Sequence, residues 1–275
     1  MKHRAQAASS FLTRRDTLAL GAAAAAAMIA PSALAQEETE RHGMSAFGDL
    51  KYPPDFKNFD YVNPNAPKGG VFSQMGPTKQ FNQNFQTFNS LNAFILRGDA
   101  AQGVEVTFAT LMAPSTIFSP AHDEPDAIYA YAARAVRISA DGLTYRFLMR
   151  PEAKFHDGSK LTAHDVAFSL MLLKEKGHPI IQQLLRDFLG AEAADDATVV
   201  ARFALKRGRD VPLFVAQLPI FSRAYYSKRP FDESTLDVPL GSGAYKVGRF
   251  EVGHFIEYER VKGWWGENLP VWRAE

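Results

Sequence analysis

Apolar and polar positions alternate with a period of two at several places along the chain, and each place predicts a strand. ARAVRIS (133–139) and TYRFLMR (144–150) flank Asp141-Gly142, a dipeptide suited to tight turns, and together predict a β-hairpin. ATVVARFAL (197–205) predicts a further strand, and GAYKVGRF with HFIEYERV predicts a last pair around Glu251-Val252-Gly253. VFSQM, directly after Gly69-Gly70, predicts the first strand of all. Helical spacing is clearest after Leu161. Thr162 takes the N-cap position with Asp165 three residues on, and Val166, Ala167, Leu170, Met171 and Lys174 fall on one face. Further helices are expected over AQGVEVTFATLM (101–112), over IIQQLLRDFLG with Gly190 as its stop, and from Asp210 as N-cap through DVPLFVAQL. Strands and helices mix without a regular βαβ period. That favours an α+β or irregular α/β chain over a doubly wound sheet.

Two stretches fit neither period. Residues 37–69 are broken by Pro53-Pro54, Asn63-Pro64 and Ala66-Pro67, yet carry Phe47, Tyr52, Phe56, Phe59 and Tyr61. So many aromatic side chains predict an ordered, extended arm rather than a disordered linker. Residues 81–94, FNQNFQTFNSLNAF, interleave phenylalanine with Asn and Gln. Such a loop suits a surface that meets something part apolar and part hydrogen-bonding. It equally suits a loop buried by its own phenylalanines. Phe81, Asn82, Phe85, Phe88 and Asn89 are the ligand-binding candidates it supplies.

Composition narrows the chemistry. The 275 residues are 46% hydrophobic and 22% charged, with a formal net charge of +1. Four basic residues and one acidic residue lie within the first 35, which leaves 27 basic and 29 acidic residues beyond them. A body so balanced has no electrostatic footprint for nucleic acid, and the run Lys206-Arg207-Gly208-Arg209 reads as a solvated loop. There is no cysteine, hence no disulfide, thiolate metal site or cysteine nucleophile. The first 35 residues read as an export signal. Arg14-Arg15 precede an uncharged, alanine-rich stretch, Pro31 breaks it, and Ala33-Leu34-Ala35 forms a small-x-small cleavage site before Gln36. TRRDTLA resembles the twin-arginine pattern of the Tat pathway, departing from it at Thr17 and Ala19. A retained membrane anchor is the alternative, one that Pro31 and the weak apolarity of alanine disfavour.

Templates for catalysis fail in turn. Gly241-Ser242-Gly243 lacks the G-x-S-x-G of a nucleophile elbow and, with Lys246 at the third glycine position, the spacing of a dinucleotide loop. It reads as a tight turn entering a strand. His156-Asp157 and His164-Asp165 sit at a turn and at a helix start, without metal-ligand spacing. No metal or other cofactor is expected. With 30 acidic residues a glycosidase-like carboxylate pair stays open, but no spacing selects one.

Two motifs carry a more specific signal. LTYRFLMRPEAKFHDGSKLTAHDVAFSL (143–170) resembles the signature of family 5 extracellular solute-binding proteins, the peptide, nickel and oligosaccharide receptors of ABC importers. LGSGAYKVGRF and IEYERVKGWWGENLPV (240–271) are similar to that family's G-[ST]-G-x-Y-x-V strand and its aromatic-Trp-Gly turn. With the arm HGMSAFGDLKYPPDFKNFDYVNPNAPKGG, the whole resembles the YejA-like branch. The resemblance implies a periplasmic-binding-protein-like type II (cluster C) lobe with an inserted subdomain. Residues 36–98 plus 192–275 would form the first lobe and 99–191 the insertion, after a signal over 1–35. It also implies a hinged clamp that captures oligopeptides in the periplasm, docks as a monomer on an inner-membrane ABC permease, and performs no covalent chemistry. Ser242 and Tyr245 join the ligand-binding candidates on this ground, each open to a core or turn role instead. In the family the Trp-Gly turn precedes a second lobe, so the chain is expected to be truncated and its binding impaired. Nickel or an oligosaccharide is the alternative solute, and a periplasmic hydrolase the alternative class. The exported protein, measured by intact mass, is expected to begin at Gln36; a species that still carries Met1 would indicate the anchor instead.

Overall fold

The computed structural model describes residues 39–67, 69–74, 80–114, 123–124, 126–204 and 210–271. The export segment and the basic run 206–209 lie outside these residues. In chain order the strands are β1 (Gly43–Ser45), β2 (Met112–Pro114), β3 (Ala127–Ala130), β4 (Ala133–Ile138), β5 (Thr144–Met149), β6 (Phe188–Asp195), β7 (Thr198–Phe203), β8 (Tyr245–Glu251) and β9 (Phe255–Arg260). The helices are α1 (Ala163–Lys176), α2 (Pro179–Leu184), α3 (Asp210–Ala216) and α4 (Arg223–Tyr226), with one 3-10 turn at Val104–Thr107.

The hairpin signalled by Asp141-Gly142 forms. Asp141 Oδ1 accepts from the Ser139 hydroxyl at 2.5 Å and from the Leu143 N–H at 2.9 Å, while Gly142 takes the positive φ of 70° that the turn requires. It sets Val136 opposite Phe147, and an antiparallel sheet grows outward in the order β4-β5-β7-β6. The expected boundary between 191 and 192 falls inside β6, whose pairing with β7 runs across it. β8 and β9 form the second predicted hairpin as a separate two-stranded sheet. A small sheet in the order β1-β3-β2 ties in the N-terminal arm. There Tyr52 and Phe59 are buried against Tyr129, with ring centroids 5.6 and 5.8 Å away, whereas Phe47 and Tyr61 remain exposed.

Helix α1 begins as predicted. Asp165 Oδ2 accepts from the Thr162 N–H at 2.9 Å and from its hydroxyl at 2.8 Å. The same carboxylate reaches across the fold, its Oδ1 accepting from the Arg223 N–H at 3.0 Å. Ser169 repeats the device one turn later, accepting from the Phe221 N–H at 2.7 Å. The face α1 buries is Ala163, Val166, Leu170 and Leu173 together with these two polar residues. Ala167 and Met171, expected on that face, are only half-buried, and Lys174 donates to the Phe188 carbonyl.

Several expectations are corrected. Val71 to Gln74 form no strand: Val71 and Phe72 are 99% and 83% exposed, so β propensity there has no neighbour to pair with. The helix over 101–112 shrinks to a single 3-10 turn, because Gly103 at φ 81° begins it and Met112 is drawn into pairing with β3. The helix over 180–190 ends at Leu184. Phe188 is fully buried and starts β6, so Gly190 lies inside a strand rather than after a helix.

The Gly241-Ser242-Gly243 turn joins segments remote in sequence. Thr107 O accepts from the N–H groups of Ser242 and Gly243 at 2.9 and 2.8 Å, and Ser242 Oγ accepts from the Ala109 N–H at 3.0 Å. A Cβ on Gly241 would lie 2.1 Å from Thr107 O, and one on Gly243 2.5 Å from Val106 O, so only glycine permits this approach. The Ser242 carbonyl accepts both indole N–H groups, from Trp264 at 2.9 Å and Trp265 at 3.0 Å. Tyr131 stacks on Trp265 with centroids 5.6 Å apart. His156 closes the junction, with Nε2 2.8 Å from Gly243 O and its backbone N–H donating to Gly241 O at 2.9 Å. A carbonyl can only accept, so the proton sits on Nε2.

Asp165→Ala removes the helix cap and the acceptor for Arg223 at one stroke. It is expected to cost about 2–3 kcal/mol, read as a lower urea midpoint at unchanged m value. Burial lowers the His156 pKa below its ordinary 6.5, and burial lowers His178 likewise. As pH falls the unfolded chain therefore takes up these protons first, so stability is full above about pH 6.5 and declines below it. Burial raises Glu105 above its ordinary 4.5, which contributes stability at low pH that is lost as pH rises. A paired comparison isolates the histidine: His156→Gln keeps a donor for Gly243 and is expected to flatten the acid-side decline in urea titrations. An unchanged slope would locate the acid sensitivity elsewhere.

Candidate functional site

The aromatic and amide loop is held by its own amides. Asn82 O accepts from the Ala100 N–H at 2.9 Å, while its Nδ2 donates to Asn92 O at 3.1 Å and Arg97 O at 2.9 Å. Asn89 pairs with Asp99 twice, its N–H donating to the Asp99 carbonyl at 2.8 Å and its Oδ1 accepting from the Asp99 N–H at 2.8 Å. Asn92 Nδ2 donates to Phe231 O at 2.7 Å. From the sequence Asn82 and Asn89 are candidates for ligand contact, with a core or turn role the alternative. Most of these amides satisfy backbone groups that a loop without regular structure would otherwise leave unpaired.

Gln83 and Glu105 were not singled out, and their side chains tie the loop to the 3-10 turn. Gln83 is 2% exposed, and its Nε2 donates to Glu105 Oε2 at 2.7 Å. Nothing in the local pattern distinguishes Gln83 from its neighbouring amides; its partner lies 22 residues away.

The seven candidates separate in space. Phe81 is half-buried at φ 46°, a left-handed conformation rare for a bulky residue, with its ring 5.5 Å from that of His178 and 6.5 Å from that of Phe94. Asn82 is half-buried in its network, and its Oδ1 is buried without a hydrogen-bond partner. Phe85 is 45% exposed and Asn89 is exposed. Phe88 turns inward onto Leu91, Ala101 and Val247 and packs on Phe250 of the β8–β9 hairpin, centroids 6.1 Å apart. Ser242 is fully buried in the junction described above, where its N–H, hydroxyl and carbonyl each hold another segment. Tyr245 begins β8 opposite Arg260 and is half-buried. Phe85 and Asn89 are thus the exposed candidates on this loop, while Phe81 packs against the core and Phe88 against the hairpin. Tyr258 strengthens the hairpin contact, its hydroxyl donating to Gln102 O at 2.6 Å.

Among the described residues no group of three or more His, Asp or Glu is placed to hold a metal ion, and no helix is long and apolar enough to cross a membrane. The exposed part of the loop presents an aromatic ring at Phe85 and an amide at Asn89.

Comparison with known proteins identifies a family. The model of bacterial extracellular solute-binding proteins, family 5 (middle region), matches residues 127–273, more than half of the chain. The probable peptide-binding protein YejA of Agrobacterium fabrum is 31% identical over 261 residues, which cover 91% of this chain and 40% of the relative. The peptidoglycan-binding protein YepA of the same organism is 34% identical over 235 residues, 83% of this chain and 36% of YepA. The chain thus spans about two fifths of the length of these relatives. Among solved structures, the oligopeptide-binding protein AppA from Bacillus subtilis, in complex with a nonapeptide, superposes with a TM-score of 0.51 at 20% identity, over 66% of this chain and 36% of AppA. At that identity the likeness shows the fold alone, a mixed α/β arrangement of the type II periplasmic-binding-protein kind. The chain belongs to family 5 of the bacterial extracellular solute-binding proteins.

Proposed function

We propose that this protein binds oligopeptides as the capture component of an ABC importer, exported through the Tat route and released into the periplasm after Ala35. The observation that carries the reading is the loop 81–89, which spends its amides on its own backbone and leaves Phe85 and Asn89 facing outward on a braced support. A surface already ordered loses little further entropy when a peptide docks. In this reading Phe81, Asn82, Phe85, Asn89 and Tyr245 line one wall of the ligand cleft, while Phe88 and Ser242 hold that wall in place from behind. The partner is an inner-membrane permease, and the protein works as a monomer without covalent chemistry.

On an open wall hydrogen bonds to a ligand gain little over those to solvent, so weak binding is expected of the loop surface by itself. A second reading, favoured by the likeness to YepA, takes peptides released from peptidoglycan on the same wall.

Calorimetric titration of the full chain with a mixture of tri- to pentapeptides is expected to give a dissociation constant near the millimolar range, about −4 to −5 kcal/mol. Phe85→Ala is expected to weaken it at least about fivefold by removing an exposed aromatic contact. The absence of binding, or binding indifferent to Phe85→Ala, would remove the loop from the site. A soluble muropeptide titrated in parallel separates the two ligand readings: tighter binding than the plain peptides selects the second.

A further inference from the structure

Helix α1 carries a second apolar stripe that packs on the core only in part. Ala167, Phe168, Met171 and Leu172 lie beside its buried face and are only half-buried. Opposite them β6 presents Ala191 and Ala193 on one face. Two alanines cannot fill the space that a helix stripe of this size leaves. An open trough of about 340 Å³ remains between α1 and β6. β6 is the outer strand of its sheet, so its far backbone edge has no strand partner among the described residues.

The two ends of the trough differ in charge. Arg223 and His164 stand at the end where α1 begins, and Glu175 at the end where it finishes. The Arg223 backbone is held by Asp165, but its guanidinium has no hydrogen bond or ion pair among the described residues. His164 pairs with Asp196 at 3.3 Å. Glu175 lies in the last turn of α1, where a carboxylate opposes the helix dipole, and its carboxylate too has no partner among the described residues. The neighbouring lysines are engaged elsewhere, Lys174 on the Phe188 carbonyl and Lys176 with Asp232 at 3.3 Å. An uncompensated cation and an uncompensated anion therefore bracket an apolar trough.

From His164 to Glu175 is about 16 Å at a rise of 1.5 Å per residue. An extended chain covers that span in about five residues. We propose that the trough between α1 and β6 is a binding site for a short extended peptide with small apolar side chains and free termini, its carboxylate on Arg223 and its amino group on Glu175. The peptide backbone runs beside the open edge of β6, as an added strand does in other peptide-binding sheets. Its side chains fill the space left by Ala191 and Ala193. This site is separate from the loop 81–89 and does not depend on the importer reading.

The test is titration of the full chain with Ala-Leu-Ala-Leu-Ala bearing free termini, and with the same peptide acetylated and amidated. The free peptide is expected to bind, and capping both ends to weaken binding at least about tenfold by removing both charge pairs. Ala193→Leu fills the trough and Arg223→Gln removes the cation; each is expected to weaken the free peptide by a similar factor. Arg223 is exposed, so its variant carries the test if Ala193→Leu disturbs folding, which circular dichroism reports. No binding at millimolar peptide, or equal affinity for the free and capped forms, overturns the proposal. So does affinity unchanged in Arg223→Gln. Binding that only Phe85→Ala lowers would place the peptide on the other loop, leaving the proposed function standing and this one refuted.

Discussion

The carbonyl oxygen of Ser242 has two lone pairs, and an indole N–H occupies each of them. Indoles can only donate, and a buried donor left without an acceptor costs about 1–3 kcal/mol. Trp264 and Trp265 are thereby committed to this one atom, and the chain around residue 264 is bound to the chain around residue 242. On its other side the same turn is pressed so close to Thr107 that neither flanking residue can carry a side chain. His156 closes it from a third direction. Stretches near 107, 156, 242 and 264 meet at this one close-packed junction.

That junction explains why the loop from 81 to 102 is ordered although it contains no regular element. Its far end enters the 3-10 turn whose last residue, Thr107, is held by Ser242 and Gly243. Its middle rests on the β8–β9 hairpin, which leaves the junction immediately after Gly243 and Ala244. The amides complete the work locally by satisfying backbone groups. Rigidity comes from outside the loop and hydrogen bonding from within it. Such a division lets a surface of phenylalanine and asparagine stay in one shape without being buried.

Helix α1 shows a related separation of roles. One face makes the core, a polar edge of Asp165 and Ser169 anchors residues 221–223, and the remaining apolar stripe overhangs the outer strand. The expected face was drawn through Ala167 and Met171 because helical spacing alone cannot distinguish two adjacent apolar stripes. The partner decides between them: β6 meets that side with Ala191 and Ala193, while Ala163, Val166, Leu170 and Leu173 are buried in the main core.

Local chemistry determined a good deal of this protein. The Asp141-Gly142 turn, the Thr162–Asp165 cap, the strand over 198–203 and the final hairpin each rest on interactions between residues close in sequence, and each was legible there. The family signal was legible for the same reason, since its motifs are short runs. Tertiary structure decided the rest. Val71 and Phe72 have the propensity of a strand but no strand partner among the described residues, Phe188 to Gly190 have the spacing of a helix but are claimed by the sheet, and Phe88 differs from Phe85 only in having the hairpin behind it. Ser242 looked like a candidate for ligand contact because a short turn shows its residues and not its neighbours. Pairing and burial depend on groups tens of residues away, and a period read along the chain carries no information about which of those groups arrives.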